Sequence, residues 1–168
     1  MAGLFKAIRS AFDAKGWVYE QVAGREVLQS SFEAHHTRVP VHVQAFEPIG
    51  GVHVVATSPF EFESYHLLKA SELLMRTSEL LTVGNFEMLW EQRQVLFRAA
   101  NLFERECQTF PDTILHSLVH AAVAEMDRIT PLLAEIQKAD PASVFTLDIP
   151  ALMRREDWLP PVPNEPSA

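Results

Sequence analysis

Two runs of strict alternation limit what this chain can become. Val39, Val41, Val43 and Ala45 alternate with Pro40, His42, Gln44 and Phe46, and Val52, Val54 and Ala56 alternate with His53, Val55 and Thr57. A period of two puts successive side chains on opposite faces of a strand, so each run has one apolar side and one mixed side. Between them, Glu47-Pro48-Ile49-Gly50-Gly51 reads as a turn, because a glycine pair permits positive φ. Val27 to Ala34 is a weaker third run, joined to the next by the polar His35-His36-Thr37-Arg38. Together they predict a three-stranded antiparallel meander with one apolar and one mixed face.

The flanking segments change period. Leu4, Phe5, Ile8, Ala11 and Phe12 recur at helical spacing, and Gly16 stands where a left-handed cap would end that helix. Its apolar side is expected to pack on the sheet, since a short helix with few basic residues is a poor membrane anchor. Ser58-Pro59-Phe60-Glu61 has the chemistry of a helix start, with Ser58 as cap, Pro59 in the first turn and Glu61 completing a capping box. The helix predicted there carries Leu67, Ala70, Leu74 and Leu81 and stops at Gly84. From Phe86 to Phe103 two readings compete. Phe86, Met88, Trp90, then Val95, Phe97 and Ala99 fit a hairpin turning at Glu91–Arg93, whereas Leu89, Leu96, Ala100 and Phe103 fit one face of a helix.

Pro111-Asp112 opens a clearer helix, with Leu115, Leu118, Val119, Ala122, Met126, Ile129 and Leu133 in one stripe. Thr130-Pro131 is expected to kink it, or to restart it with Thr130 as cap. Six of the 11 prolines fall from Pro141 onward. That shift divides the chain into a domain over residues 1–140 and a proline-rich extension over 141–168. In the extension, Val144 to Ile149 is expected to be extended and Ala151 to Leu159 to form a short helix, with a disordered end.

A chain of 168 residues suffices for one core, and 48% hydrophobic with 21% charged residues is a globular composition. The net charge of −8, without clustered Lys and Arg, argues against nucleic acid as a partner. Cys107 is the only cysteine, so no intrachain disulfide and no paired-thiolate metal site can form. Lys6 and Arg9 interrupt the N-terminal apolar residues and no run approaches membrane-span length. The expectation is a soluble cytoplasmic protein without membrane contact.

Residues able to carry chemistry do not assemble into a catalytic signature. His116 and His120 are four apart on the predicted helix and could share an ion, but Ser117 stands where a zincin has glutamate. His42 and His53 occupy corresponding positions on neighbouring strands. Cys107 has no nucleophile signature around it. Glu125 and Asp127 flank Met126, but near-adjacent helix positions diverge, and a solvated face with a salt bridge at Asp127 or Arg128 is the stronger reading. No glycine-rich phosphate loop or dinucleotide fingerprint is present. Phe60, Phe62, Tyr65 and Trp90 are core residues by default, with docking as the alternative. The tail's Trp158-Leu159-Pro160-Pro161-Val162-Pro163 reads equally as a polyproline ligand or a segment folding back on its own domain.

Several stretches carry a resemblance: Leu73-Leu74-Met75-Arg76, Leu81-Thr82-Val83-Gly84-Asn85-Phe86, Val95-Leu96-Phe97-Arg98, Met126-Asp127-Arg128 and Pro131-Leu132-Leu133. With the order of elements around them they resemble the YbjN-type family and the type III secretion chaperone-like fold over roughly residues 1–137. The resemblance implies an α+β fold, order α-β-β-β-α-β-β-α, with an antiparallel five-stranded sheet and helices packed on one face. It favours the hairpin after Gly84. It brings no catalytic residues, and it implies a chaperone-like or regulatory factor that binds a client protein, as a homodimer.

The expected function is therefore non-enzymatic protein binding through a sheet face or an edge strand, with no cofactor and no metal. The candidate contact residues are His42, Gln44, His53 and Val55, with Phe60 and Trp90 at the margin. A histidine-dependent metal or small-molecule enzyme is the alternative, and a structural subunit tethered by its tail a third possibility.

Overall fold

In the computed structural model, which describes residues 3–103 and 110–155, the alternating runs pair into one antiparallel sheet. Strands β2 (Val27–Glu33), β3 (Arg38–Phe46) and β4 (Gly51–Glu61) form the meander. In register, Val43 lies between Leu28 and Val54, and Val41 between Ser30 and Ala56. The valines and alanines of the alternation are thus stacked across strands on one face, all of them buried. The hairpin reading holds for the next segment. β5 (Asn85–Leu89) pairs with β6 (Gln94–Leu102), and β6 inserts beside β4, leaving β5 at the edge. Its turn has none of the usual turn residues and closes with Arg93 at φ 52°, left-handed and without glycine.

The sheet has six strands, not five. The extra one, β1 (Glu20–Gln21), pairs only with Gln29 and Leu28 of β2. A two-residue strand is too short to show a period, which is why alternation could not reveal it. The order of elements accordingly begins α-β-β-β-β and ends with a further short helix.

Helices α1 (Leu4–Lys15), α2 (Leu67–Ser78) and α3 (Asp112–Lys138) share a single core cluster with the apolar sheet face. The predicted α1 residues Leu4, Ile8, Ala11 and Phe12 are the buried ones, and Gly16 ends the helix at φ 65°. The α3 stripe is buried as its spacing requires. Residues past 140 also reach this core: Val144 and Ile149 are fully buried, the latter opening α4 (Ile149–Met153). The segment expected to be extended is instead a 3₁₀ turn at Val144–Thr146, and α4 starts earlier than predicted because Asp148 caps it by accepting from the Ala151 N–H.

Two helix boundaries are corrected. Ser58-Pro59 starts no helix, because β4 runs on to Glu61. Ser58 is buried and its hydroxyl donates to the Phe60 carbonyl. The ladder to β6 jumps from the Thr57–Leu96 pair to the Glu61–Gln94 pair, and Pro59, with no N–H to give, sits in that bulge. The capping box lies further on. The Glu63 side chain accepts from the His66 N–H, and His66 Nδ1 accepts from the Glu63 N–H. The buried His66 ring then donates from Nε2 to the Ala139 carbonyl at 2.8 Å, joining the start of α2 to the end of α3.

The second boundary is Gly84, which does not cap α2. That helix ends at Ser78. Gly84 has φ 77°, and a Cβ there would lie 2.5 Å from Phe97 Cζ and 2.6 Å from the Arg98 carbonyl oxygen. Its role is close approach of the loop to β6. Nor does Pro131 restart α3. The helix is continuous from Asp112 to Lys138, and Thr130 is buried with its hydroxyl on the Met126 carbonyl at 2.7 Å. Thr130 therefore does not cap.

Asp127 is also not the solvated residue its neighbours suggested. It is buried, and one carboxylate oxygen accepts from the His36 N–H at 2.7 Å and the Thr37 N–H at 3.1 Å. The salt bridge runs from Arg128 to Glu125. Replacing Asp127 with Ala leaves those turn amides without their acceptor and should cost about 2 kcal/mol or more, while Asp127→Asn, which keeps an accepting oxygen, should cost less. Gly84→Ala should likewise lower unfolding free energy by at least about 1 kcal/mol more than Gly16→Ala, where a Cβ meets nothing within 4 Å. Denaturant titrations of the four variants check both contrasts.

Candidate functional site

The sheet face opposite the helices carries the second half of the alternation. Pairing sets His42 against Val55 and Gln44 against His53, so these four candidate residues form one contiguous patch on β3 and β4. Gln29 continues the His42 row on one side, and Arg98 and Asn85 continue the Val55 row on the other. Trp90 stands in the β5–β6 turn with 51% of its surface exposed. Phe60 is not part of the patch. It is packed against the core, with its ring 6.4 Å from that of the buried Phe62.

The patch is nearly uncharged despite its histidines. The side-chain amide of Gln29 lies 2.9 Å from His42 Nε2 and hydrogen-bonds that ring nitrogen. Burial holds His42 below its ordinary pKa of 6.5. His53 is also held below 6.5, chiefly by burial and then by the nearby Arg98, with Glu87 opposing. The His53 ring packs on Phe46 at 4.5 Å, and its Nδ1 is enclosed without a hydrogen-bond partner among the described residues. A proton placed there would be a buried donor with no acceptor.

Alternation also hid an ion pair at the edge of the patch. Arg98 donates from Nε and a terminal nitrogen to the two Glu87 oxygens at 2.8 and 3.1 Å, and Asn85 donates to the same carboxylate. The Arg98 hydrogen bond, followed by that of Asn85, holds Glu87 below the usual carboxylate range against the opposing effect of burial. Arg98 pairs with Asn85 and Glu87 with Leu96, so Glu87 and Arg98 meet on the diagonal between β5 and β6, a signal legible only once the hairpin is assigned. Two leucines share this side: Leu96 is buried, and Leu102 is 67% exposed.

The other histidines serve elsewhere. His116 and His120 set their rings edge-on against Trp17, at 5.2 and 5.8 Å. Trp17 in turn meets Phe12 and Phe32. The helical spacing therefore makes an aromatic clasp between α3 and the segment after α1. Among the described residues, no group of three or more His, Cys, Asp or Glu side chains converges on a point where an ion would sit. Cys107 and the Trp158–Pro163 segment lie outside the described residues. Among those described, no helix is long and apolar enough to cross a membrane.

Comparison with protein-family models, curated proteins and solved structures finds no match.

Because both patch histidines have lowered folded-state pKa values, they bind protons less readily in the native chain than in the unfolded one. Their contribution to stability is complete above about pH 6.5 and is lost as the pH falls through their folded-state values. Unfolding free energy should fall between about pH 7 and pH 5, and the double variant His42→Gln/His53→Gln should show a shallower fall over that window. Losses at lower pH, where Glu87 and Glu72 are protonated, should remain.

Proposed function

We propose that the chain is a non-enzymatic, cytoplasmic protein-binding factor, chaperone-like or regulatory, working as a homodimer. It takes an extended segment of a client protein on its helix-free sheet face. The observation that carries this reading is the patch itself: partly exposed Val55 and exposed Leu102 beside His42, His53 and Gln44, with the Glu87–Arg98 ion pair at its margin internally satisfied. Such a surface desolvates cheaply, because few unpaired charges must leave water. Its amide and imidazole groups can meet backbone N–H and C=O groups of any sequence, as a polypeptide client requires.

An edge supports the same reading. β1 covers only Gln29 and Leu28, so among the described residues no strand pairs with the outer edge of β2 from Ser30 to Glu33. The segment before β1 makes only side-chain contacts there, the Ser30 hydroxyl donating to the Val18 carbonyl and Trp17 packing on Phe32. A client segment can add there by main-chain hydrogen bonding. The resemblance to secretion chaperones and YbjN-type proteins agrees with this mode of action.

The probe is a permanently unfolded, reduced and carboxymethylated globular protein. Val55→Asp and Trp90→Asp should each weaken its capture at least tenfold and reduce self-association measured by light scattering. Trp90→Asp, at a half-exposed turn position, should leave stability within about 0.5 kcal/mol. If both variants capture the probe and self-associate like the parent, the reading is wrong.

A further inference from the structure

β6 is longer than its outer neighbour. β5 starts at Asn85, opposite Arg98, and among the described residues no strand continues its line alongside Ala99 to Leu102. The main chain at that gap is open. The Phe103 N–H donates to the Gly50 carbonyl, on the β4 side, and successive residues of a strand address opposite edges. Ala100 and Leu102 therefore direct their N–H and C=O groups to the empty side. The Leu102 carbonyl accepts from the Asn101 side-chain amide at 3.2 Å, and the other three groups have no hydrogen-bond partner among the described residues. Between this bare edge and the first half of α3 lies a slot of about 350 Å³, walled by Val83, Asn101, Ile114, Ser117, Leu118 and Ala121. Val83 and Ile114 are exposed, as is Leu102 next along β6. The Ser117 hydroxyl already donates to the Thr113 carbonyl, and among the described residues no charged side chain lines the slot.

We infer that the slot takes one extended segment of the client, pairing with Ala100 and Leu102 and placing a single large apolar side chain beneath α3. This rests on the reading of the chain as a polypeptide binder, and adds a place for main-chain pairing and the side chain selected there. The open groups form a ladder edge, so extended backbone is what satisfies them. Opposed residues of an antiparallel pair share a face. Asn101, paired with the buried Val52, faces the helix side, so the client residue opposite it enters the slot. The residues on either side of it lie by Ala100 and Leu102 on the helix-free face, which Ala100 shares with its pair His53. The segment thus runs onto the patch. A charged side chain in the slot would lose its hydration against apolar walls, so the selected residue is of the leucine, methionine or phenylalanine kind. A second copy pairing through the same edge offers only Ala99, Asn101 or Phe103 at that position. The first two are too small to fill the slot, and Phe103 is buried in its own core.

The experiment titrates the isotope-labelled full chain, followed by amide NMR, with a blocked threonine peptide that has one central leucine and a lysine at each end. The amide signals of Ala100 and Leu102 should shift saturably. Replacing the leucine with alanine, or N-methylating the residues that flank it, should weaken binding about tenfold or more, because each removes the apolar anchor or the paired N–H groups. Ser117→Phe, which fills the slot from an exposed helix position, should weaken it as much. Val55→Asp should leave it unchanged. The inference is overturned by an absence of saturable shifts at Ala100 and Leu102, by shifts confined to the Ser30–Glu33 edge, or by equal affinity of the N-methylated peptide. Shifts at Ala100 and Leu102 that appear on concentrating the chain alone also overturn it, since they assign the edge to a second copy. The two readings fail separately. Capture of the carboxymethylated protein without peptide binding sinks the slot alone, and peptide binding with undiminished capture by Val55→Asp sinks the patch alone.

Discussion

The structure depends on one apolar sheet face being closed by α3. Val41, Val43, Val54 and Ala56 meet a helix whose buried stripe runs from Leu115 to Ile136, and burial of these side chains supplies the main drive to fold. α3 follows the last strand and lies against β3, β4 and β6. The sheet is thus assembled from the first two thirds of the chain and covered by what comes later. α1 and α2 complete the cover from the flanks. The consequence for function is geometric: with the helices on one face, the patch around Val55 is left on the other.

Polar contacts fix how this apolar assembly is oriented. His66 bonds the α2 entrance to the carbonyl ending α3, and Asp127 bonds α3 to the β2–β3 turn. Each replaces water around backbone groups that burial would otherwise leave unpaired. Trp17, between His116, His120 and Phe32, does a related job with ring edges. Hydrophobic burial tolerates sliding, whereas these contacts have single geometries. They set the register of helix on sheet.

The sequence disclosed most of what periodicity can carry. The meander, the α1 cap at Gly16 and the α3 stripe follow from spacing alone, since each repeats over several turns or pairs. Features set by one distant partner were not legible. Ser58-Pro59 has good capping chemistry, yet pairing with β6 draws the strand through it and leaves the proline in a bulge. Gly84 was placed as a helix end, but its cause is the Phe97 ring and the Arg98 carbonyl, which no local pattern can announce. In the patch, alternation brought His42, Gln44, His53 and Val55 together correctly. It did not show that Phe60, past the bulge, packs against the core, or that Glu87 and Arg98 neutralise each other beside the histidines.

The bond from Asp127 to the turn has a consequence for the order of folding. The β2–β3 hairpin is local, and by itself would be among the first contacts to form. Its turn amides at His36 and Thr37, however, wait for a carboxylate 91 and 90 residues further along the chain. During synthesis the meander therefore emerges with its apolar face only partly covered, by α1 and then α2, and its turn unanchored until α3 has left the ribosome. For that interval the nascent chain presents an unfinished surface of the kind that chaperones shield.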